Sequence, residues 1–339
     1  MHSSTPREGA ELARATKPYA VETRWLSWWH LGSTLLVLAG SLTLACHDGP
    51  LWLRITGSIL TGLVLVRLFV IYHDHQHGTI FQESLPASCI MTLFGLLSLN
   101  PPGIWRRSHN HHHGNNAKLY GNQIGSFPIM TTQRYESASK GERLAYSASR
   151  HPLTIAMGYL TVFFYGMCVR SFIVNPSKHF DSAIAIVLHV ALAISLASIG
   201  LDILTLGLVL PVLVGSAVGS YLFYAQHNYP GVQLRARTDW NFVFAALNSS
   251  SYMTMTPLMH WFSGNIGYHH IHHLNPRIPF YRLPEAMAGI PELQSPVTTS
   301  LGFRDIRDCF RLKLWDTTKS EMVPFGRGTT AAHTGVGGG

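Results

Sequence analysis

The sequence predicts an all-α integral membrane helical bundle, with about four transmembrane helices, interfacial helices and a cytoplasmic helical cap. Three observations carry this prediction. Hydrophobic residues make up 47% of the 339 residues and charged residues only 12%. The apolar residues are concentrated in long runs of spanning length instead of being spread through amphipathic patterns. Three short histidine-rich runs lie at the ends of these apolar segments or in the polar stretches beside them. The formal net charge of +8 does not point to nucleic acid, because the Lys and Arg residues are not clustered with exposed aromatics in a soluble domain. Cys46, Cys89, Cys168 and Cys309 are widely spaced and form no CxxC pair, which argues against a disulfide framework or a thiolate metal site.

Taken in order, residues 1–24 are polar, lack the h-region of a signal peptide, and read as a cytoplasmic tail. Residues 25–46 can cross a hydrocarbon core of about 30 Å, with Trp25, Trp28 and Trp29 placed as an interfacial belt. HDGP at 47–50 turns the chain, and 51–72 returns it to deliver His73 and His77. The apolar run 85–99 is short for a span and ends in Asn100, Pro101, Pro102 and Gly103, as a re-entrant or interfacial helix would. Three apolar segments follow at 152–174, 182–200 and 201–224. If the histidine runs make one site, the number of crossings between His113 and His269 must be even, so one segment does not span.

Charge selects 152–174. With that segment lying flat and the other two spanning, 23 of the 25 Lys and Arg residues share the histidine side; Arg54 and Arg67 lie within the second span. This obeys the positive-inside rule, and Arg67 is expected to snorkel toward the cytoplasmic surface. The expected domain therefore covers 25–325, followed by a low-complexity, disordered tail at 326–339. The expected setting is a bacterial inner membrane, with the site and both termini cytoplasmic.

Eleven of the 20 histidines fall in the three runs. The run WFSGNIGYHHIHHLNPRIPFYR at 261–282 contains HxxHH at His269, His272 and His273, and the same spacing recurs at His109, His112 and His113. Positions i, i+3 and i+4 share one helix face, so each trio can converge on one point. His73 and His77 add an i, i+4 pair. Eight imidazoles are too many for one ion, so two metals are the natural count. Nitrogen-only donors suit iron, zinc, copper or nickel.

His227, in FYAQHNYPG at the end of the last span, lies at the same membrane depth and joins the set. His75, His111 and His270 occupy the variable positions of the motifs and should point away; His260 stays open. His30, His47, His151, His179, His189 and His333 have no partner in sequence and read as structural. Asp74, Asn265, Asn275 and Glu285 are the candidates to orient ligand imidazoles. No HPGG, GxGxxG or cysteine cluster signals a fused haem, flavin or iron–sulfur module.

HDHQHG, WRRSHNHHH, FYAQH and GNIGYHHIHHLNPRIPFYRLPEA, in this order between spans, resemble the membrane fatty acid desaturases, most closely the acyl-lipid, omega-type branch. The resemblance covers about residues 65–286. It implies a non-haem di-iron centre on the cytoplasmic face, with His73, His77, His109, His112, His113, His227, His269, His272 and His273 as catalytic iron ligands. It also implies dioxygen as co-substrate, a fatty acyl lipid or acyl thioester substrate, and a separate small electron donor such as a ferredoxin. Arg106, Arg107, Arg277 and Arg282, beside the boxes, are candidates to dock an acidic donor or a lipid headgroup. His75 stands where many members have Cys or a small residue, and Asn228, Tyr229, Pro230 and Gly231 depart from the usual continuation. A hydroxylase or ketolase on the same boxes is the nearest alternative. A histidine-rich metal transporter fits less well, since its ligands belong inside the spans.

Overall fold

The structure, a computed structural model, describes residues 7–120 and 124–326. The tail expected at 326–339 lies, but for Gly326, outside the described residues. Among the described residues, four helices are long and apolar enough to cross a membrane. They are α1 (Arg24–Cys46), α2 (Leu51–Gln76), α6 (Phe180–Ile199) and α7 (Leu201–Ala225). Between them lie α3 (Leu85–Leu97), α4 (Pro102–Asn115) and α5 (Tyr159–Val174); the short α8 (His269–Leu274) carries the third histidine run.

The chain bends by 88° between α3 and α4, where two prolines follow Asn100 and the carbonyl of Asn100 accepts a 2.7 Å hydrogen bond from the Tyr72 hydroxyl. Proline supplies no N–H and disfavours helix in the residue before it, so α3 stops here and α4 starts in a new direction. The apolar run 152–174 is also interrupted. A first helix covers Pro152–Ala156 and the chain restarts at Tyr159, leaving α5 below spanning length. At the break, Gly158 lies so close to α7 that a Cβ would meet the Ser220 hydroxyl.

The second and fourth spans pack backbone to backbone. A Cβ on Gly62 would lie 2.7 Å from that of Val214 and 2.8 Å from the Pro211 carbonyl. At the far end of the same helices, Arg54 pairs with Asp202 at 2.6 Å. Arg67 corrects the sequence reading. It does not snorkel but is 3% exposed, donating to Thr34 and to the Trp261 carbonyl, facing His30 Nδ1, and lying over the Trp261 ring at 4.4 Å. Neutral acceptors and an aromatic face inside the bundle satisfy its donors at that depth.

The histidine-bearing ends of these helices are covered by a cap built from 226–326, 116–120 and 124–150. Two small sheets clip it: Met130–Thr131 beside Leu314–Asp316 and Glu321–Val323, and Tyr252–Thr254 beside Thr298–Ser300. The N-terminal segment also lies on the cap. Leu12 enters the main core, Arg7 pairs with Glu292 at 2.8 Å, Glu22 accepts the Phe81 N–H at 2.8 Å, and Asn275 donates to Thr16 at 2.8 Å.

Candidate di-metal centre

All nine predicted histidines come together. They form two adjoining groups, within each of which the donor nitrogens lie within 4.8 Å of one another. His73, His77, His109, His113 and His272 make the first group; His112, His227, His269 and His273 make the second. The grouping corrects one expectation, because neither HxxHH run converges on a single point. His109 and His113 enter the first group and His112 the second, whereas His269 and His273 enter the second and His272 the first. Successive helical residues diverge by about 100°, so i and i+4 stay together while i+3 turns toward the neighbouring group. The two groups touch through stacked His113 and His273, with ring centroids 4.3 Å apart.

Each supporting element follows from local sequence. α2 runs one turn past the apolar stretch, which places His73 in its last turn and His77 at its C-cap. α4 begins at Pro102 and carries the second run on its inner face, with His112 and His113 buried. α8 follows a tight turn at Gly264 and Asn265, both with positive φ (53° and 57°). A Cβ on Gly264 would lie 2.8 Å from Val70 of α2, so the missing side chain lets this turn approach the span closely.

The nitrogen geometry tests whether a cation fits. Nε2 of His109 is 3.0 Å from that of His73 and 3.1 Å from that of His113, which is 3.1 Å from that of His272. In the second group Nε2 of His227 lies 2.9 Å from that of His269 and 3.1 Å from that of His112, and the latter is 3.3 Å from that of His273. A ring N–H can serve one such neighbour, not two. His227 has none to give on that side, since its Nδ1–H donates to the Ser249 carbonyl at 2.9 Å, leaving a bare lone pair toward both neighbours. Two nitrogens each about 2.1 Å from a shared cation are about 3.0 Å apart at a right angle and about 3.4 Å apart at a tetrahedral one. The observed spacings therefore suit neighbouring ligands of a common ion. Nε2 of His77 is buried and has no hydrogen-bond partner among the described residues, as expected of an atom reserved for a metal.

Burial sets the charge state. It holds His269, His272 and His273 well below the ordinary imidazole value, with the neighbouring imidazoles adding to the effect. It pushes His77 and His227 down to about 4. At neutral pH these rings are unprotonated, the form that ligates metal.

Of the four proposed orienting residues, only Asp74 does that work, with Oδ1 3.0 Å from His73 Nδ1. Asn265 donates to the Phe280 carbonyl, Asn275 to Thr16, and Glu285 pairs with Arg282, so each is engaged away from the nine clustered imidazoles. Two partners escaped the sequence reading: Ser126, with Oγ 2.7 Å from His112 Nδ1, and the carbonyl of Ser249. Neither carries a local signal, because they join the histidines only through tertiary folding. Among the bystanders, His270 turns to the Leu293 carbonyl at 3.2 Å, His260 stacks near Tyr252 and Tyr268, and His189 links Tyr159 to the Leu97 carbonyl. Arg106 donates to Gln76, Arg107 to the Lys178 carbonyl, and Arg282 to Glu285, while Arg277 is exposed.

Comparison with known proteins decides the family, for a model described as fatty acid desaturase matches residues 50–299. The chain belongs to the fatty acid desaturase family. The desaturase is 29% identical over 270 residues to a fatty acid desaturase of Bacillus subtilis, covering 79% of this chain and 76% of that one. It is 25% identical over 266 residues to an sn-1 oleoyl-lipid 12-desaturase of Anabaena variabilis, covering 77% and 74%. A chloroplastic omega-6 fatty acid desaturase of Arabidopsis thaliana is 25% identical over 235 residues, covering 68% of the desaturase and 52% of its relative. The chain is thus an oxidoreductase and a multi-pass membrane protein acting on fatty acyl lipid, with its histidine clusters suited to a metal centre.

Proposed function

We propose that the desaturase places a double bond in the acyl chain of a membrane lipid, and that the nine histidines are the ligands of two iron ions. The observation that carries this reading is the gathering of nine buried imidazoles into adjoining groups of five and four at the ends of apolar spans. Zinc is redox-inert and settles with four ligands, so a five-donor group beside a four-donor one favours iron. When bound, the iron pair supplies dioxygen reduction and hydrogen abstraction, chemistry beyond side chains alone. Overall, adjacent methylenes, O2, two electrons and two protons give an alkene and two waters; the electrons come from a separate small redox protein.

The chain's own residues orient and enclose. Asp74, Ser126 and the Ser249 carbonyl fix the rings of His73, His112 and His227. The cap leaves His269, His272 and His273 at most 3% exposed, which keeps water from the reacting atoms. An apolar groove of about 310 Å³, lined by Val37, Leu44, Leu60, Val64 and Phe262 among others, lies between the first two spans and offers an acyl chain a surface within the bilayer. The similarity to oleoyl-lipid desaturases favours an acyl chain esterified in a lipid over a thioester, and the basic residues on the histidine side favour a cytoplasmic site.

The test is gas chromatography with mass spectrometry of derivatised fatty acids from a host expressing the chain beside His272→Ala. A new unsaturated acid seen only with the unaltered sequence is expected. An inserted oxygen in place of a double bond would overturn the desaturation reading in favour of hydroxylation.

A further inference from the structure

Arg150 lies outside all three histidine runs, yet it is fully buried and touches two segments of the second group's surroundings, the one that contacts His112 and the one that carries His227. Its Nη1 donates to the Pro128 carbonyl at 2.7 Å, two residues beyond Ser126, which contacts His112. Its Nη2 donates to Asn228 Oδ1 and, at 3.3 Å, to the Tyr224 hydroxyl, residues that flank His227 along the chain. A third acceptor for Nη2, the Leu312 carbonyl at 3.4 Å, belongs to the C-terminal part of the cap, and all of these acceptors are neutral. Between the two segments lies a cavity of about 30 Å³ lined by His112, Ser126, Phe127, Arg150, Tyr224 and His227, among others. That is room for about one or two waters. Packing alone therefore does not hold these walls at their separation. The guanidinium, a rigid fork with five donors, bridges them, and its Nε is buried and without a protein partner among the described residues.

We propose that Arg150 is a positioning residue for the four-histidine group, setting the distance between His112 and His227 by gripping the chain on both sides of the cavity. This rests on the reading of the nine histidines as metal ligands. Lys could keep the charge but, with one ammonium, could not span both walls.

The experiment uses full-length protein purified in detergent, with metal per chain measured by mass spectrometry and Mössbauer spectra recorded on iron-57-loaded samples. For Arg150→Met, unchanged circular dichroism and a monodisperse elution profile are expected, with bound iron falling from about two to about one per chain and one Mössbauer component lost. Arg150→Lys should retain the fold and weaken that one iron by about 10-fold or more; it keeps the question decidable if Arg150→Met does not fold. Two irons with the wild-type spectrum and wild-type affinity in these variants would overturn the inference. A wild-type chain that binds no metal would overturn the metal reading, and this inference with it.

Discussion

Asp74 accepts the backbone N–H of Phe280 at 2.7 Å, across 206 positions of sequence. Its other oxygen faces Nδ1 of His73 at 3.0 Å. One buried carboxylate thus ties the first histidine run, at the end of a span, to the loop that follows the third, and orients the His73 imidazole as it does so. Asp74→Asn keeps the shape but turns an N–H toward one of these two donors. Metal affinity should fall about 10- to 100-fold, read by titration with a competing chelator. Unchanged affinity would show that the contact is only structural.

The division of each HxxHH run between two groups makes neighbouring histidines chemically distinct. His112→Ala and His113→Ala change adjacent residues, yet each removes an imidazole from a different group. Both should abolish desaturation while the chain still inserts. Mössbauer spectra of iron-57-loaded samples should lose different components in the two variants, and loss of the same component in both would refute the grouping. His270→Ala, by contrast, breaks a bond to the Leu293 carbonyl and should lower thermal stability more than metal content.

Much of this was legible in the sequence because a bilayer imposes strict rules. Runs of about 20 apolar residues, the sidedness of Lys and Arg, and a parity argument over three apolar segments yield the four membrane-length helices. The i, i+4 spacing accounts for the paired rings that share a group, the i+3 ring falls in the other group against expectation, and His227 joins the cluster at the depth the sequence assigns it. What sequence patterns miss is long-range. Asn265 sits beside the third run but turns to the Phe280 carbonyl, while Ser126 and Arg150, both distant from any motif, reach the second group only through the folded cap. Arg67 shows the same limit: hydropathy calls for snorkelling, and a pocket of Thr34, His30 and Trp261 provides an internal alternative.

Acidification should destabilise the metal-stripped protein. His77, His227 and His270, all pushed down to about 4 by burial, titrate near 6.5 when unfolded. A depressed folded value means that their contribution is fully present above about pH 6.5 and is lost as pH falls toward 4, because the unfolded chain takes up protons first. The loss should be on the order of a few kcal/mol for each ring. Thermal unfolding at pH 7, 5.5 and 4.5 reads it, and a melting temperature flat across this window would contradict the burial of these rings. With metal bound, the same protons compete for the lone pairs, so metal release should follow over a similar range.

The turn at Gly264 and Asn265 makes a separable prediction about how the third run is aimed. Gly264 has φ of 53° and would place a Cβ 2.8 Å from Val70 of the second span. Gly264→Ala therefore meets two penalties, about 1 kcal/mol or more for the left-handed backbone and the displacement of a turn packed against a helix. Because α8 starts five residues later, relief of the clash must move it away from the span that carries His73 and His77. Gly62→Ala provides the control, since it also crowds the second span, against Val214, but touches no segment of the cap. Both should lower the melting temperature; only Gly264→Ala should also weaken metal binding, by about 10-fold. Equal metal affinity in the two variants would mean that α8 is held by its own packing and not by this turn.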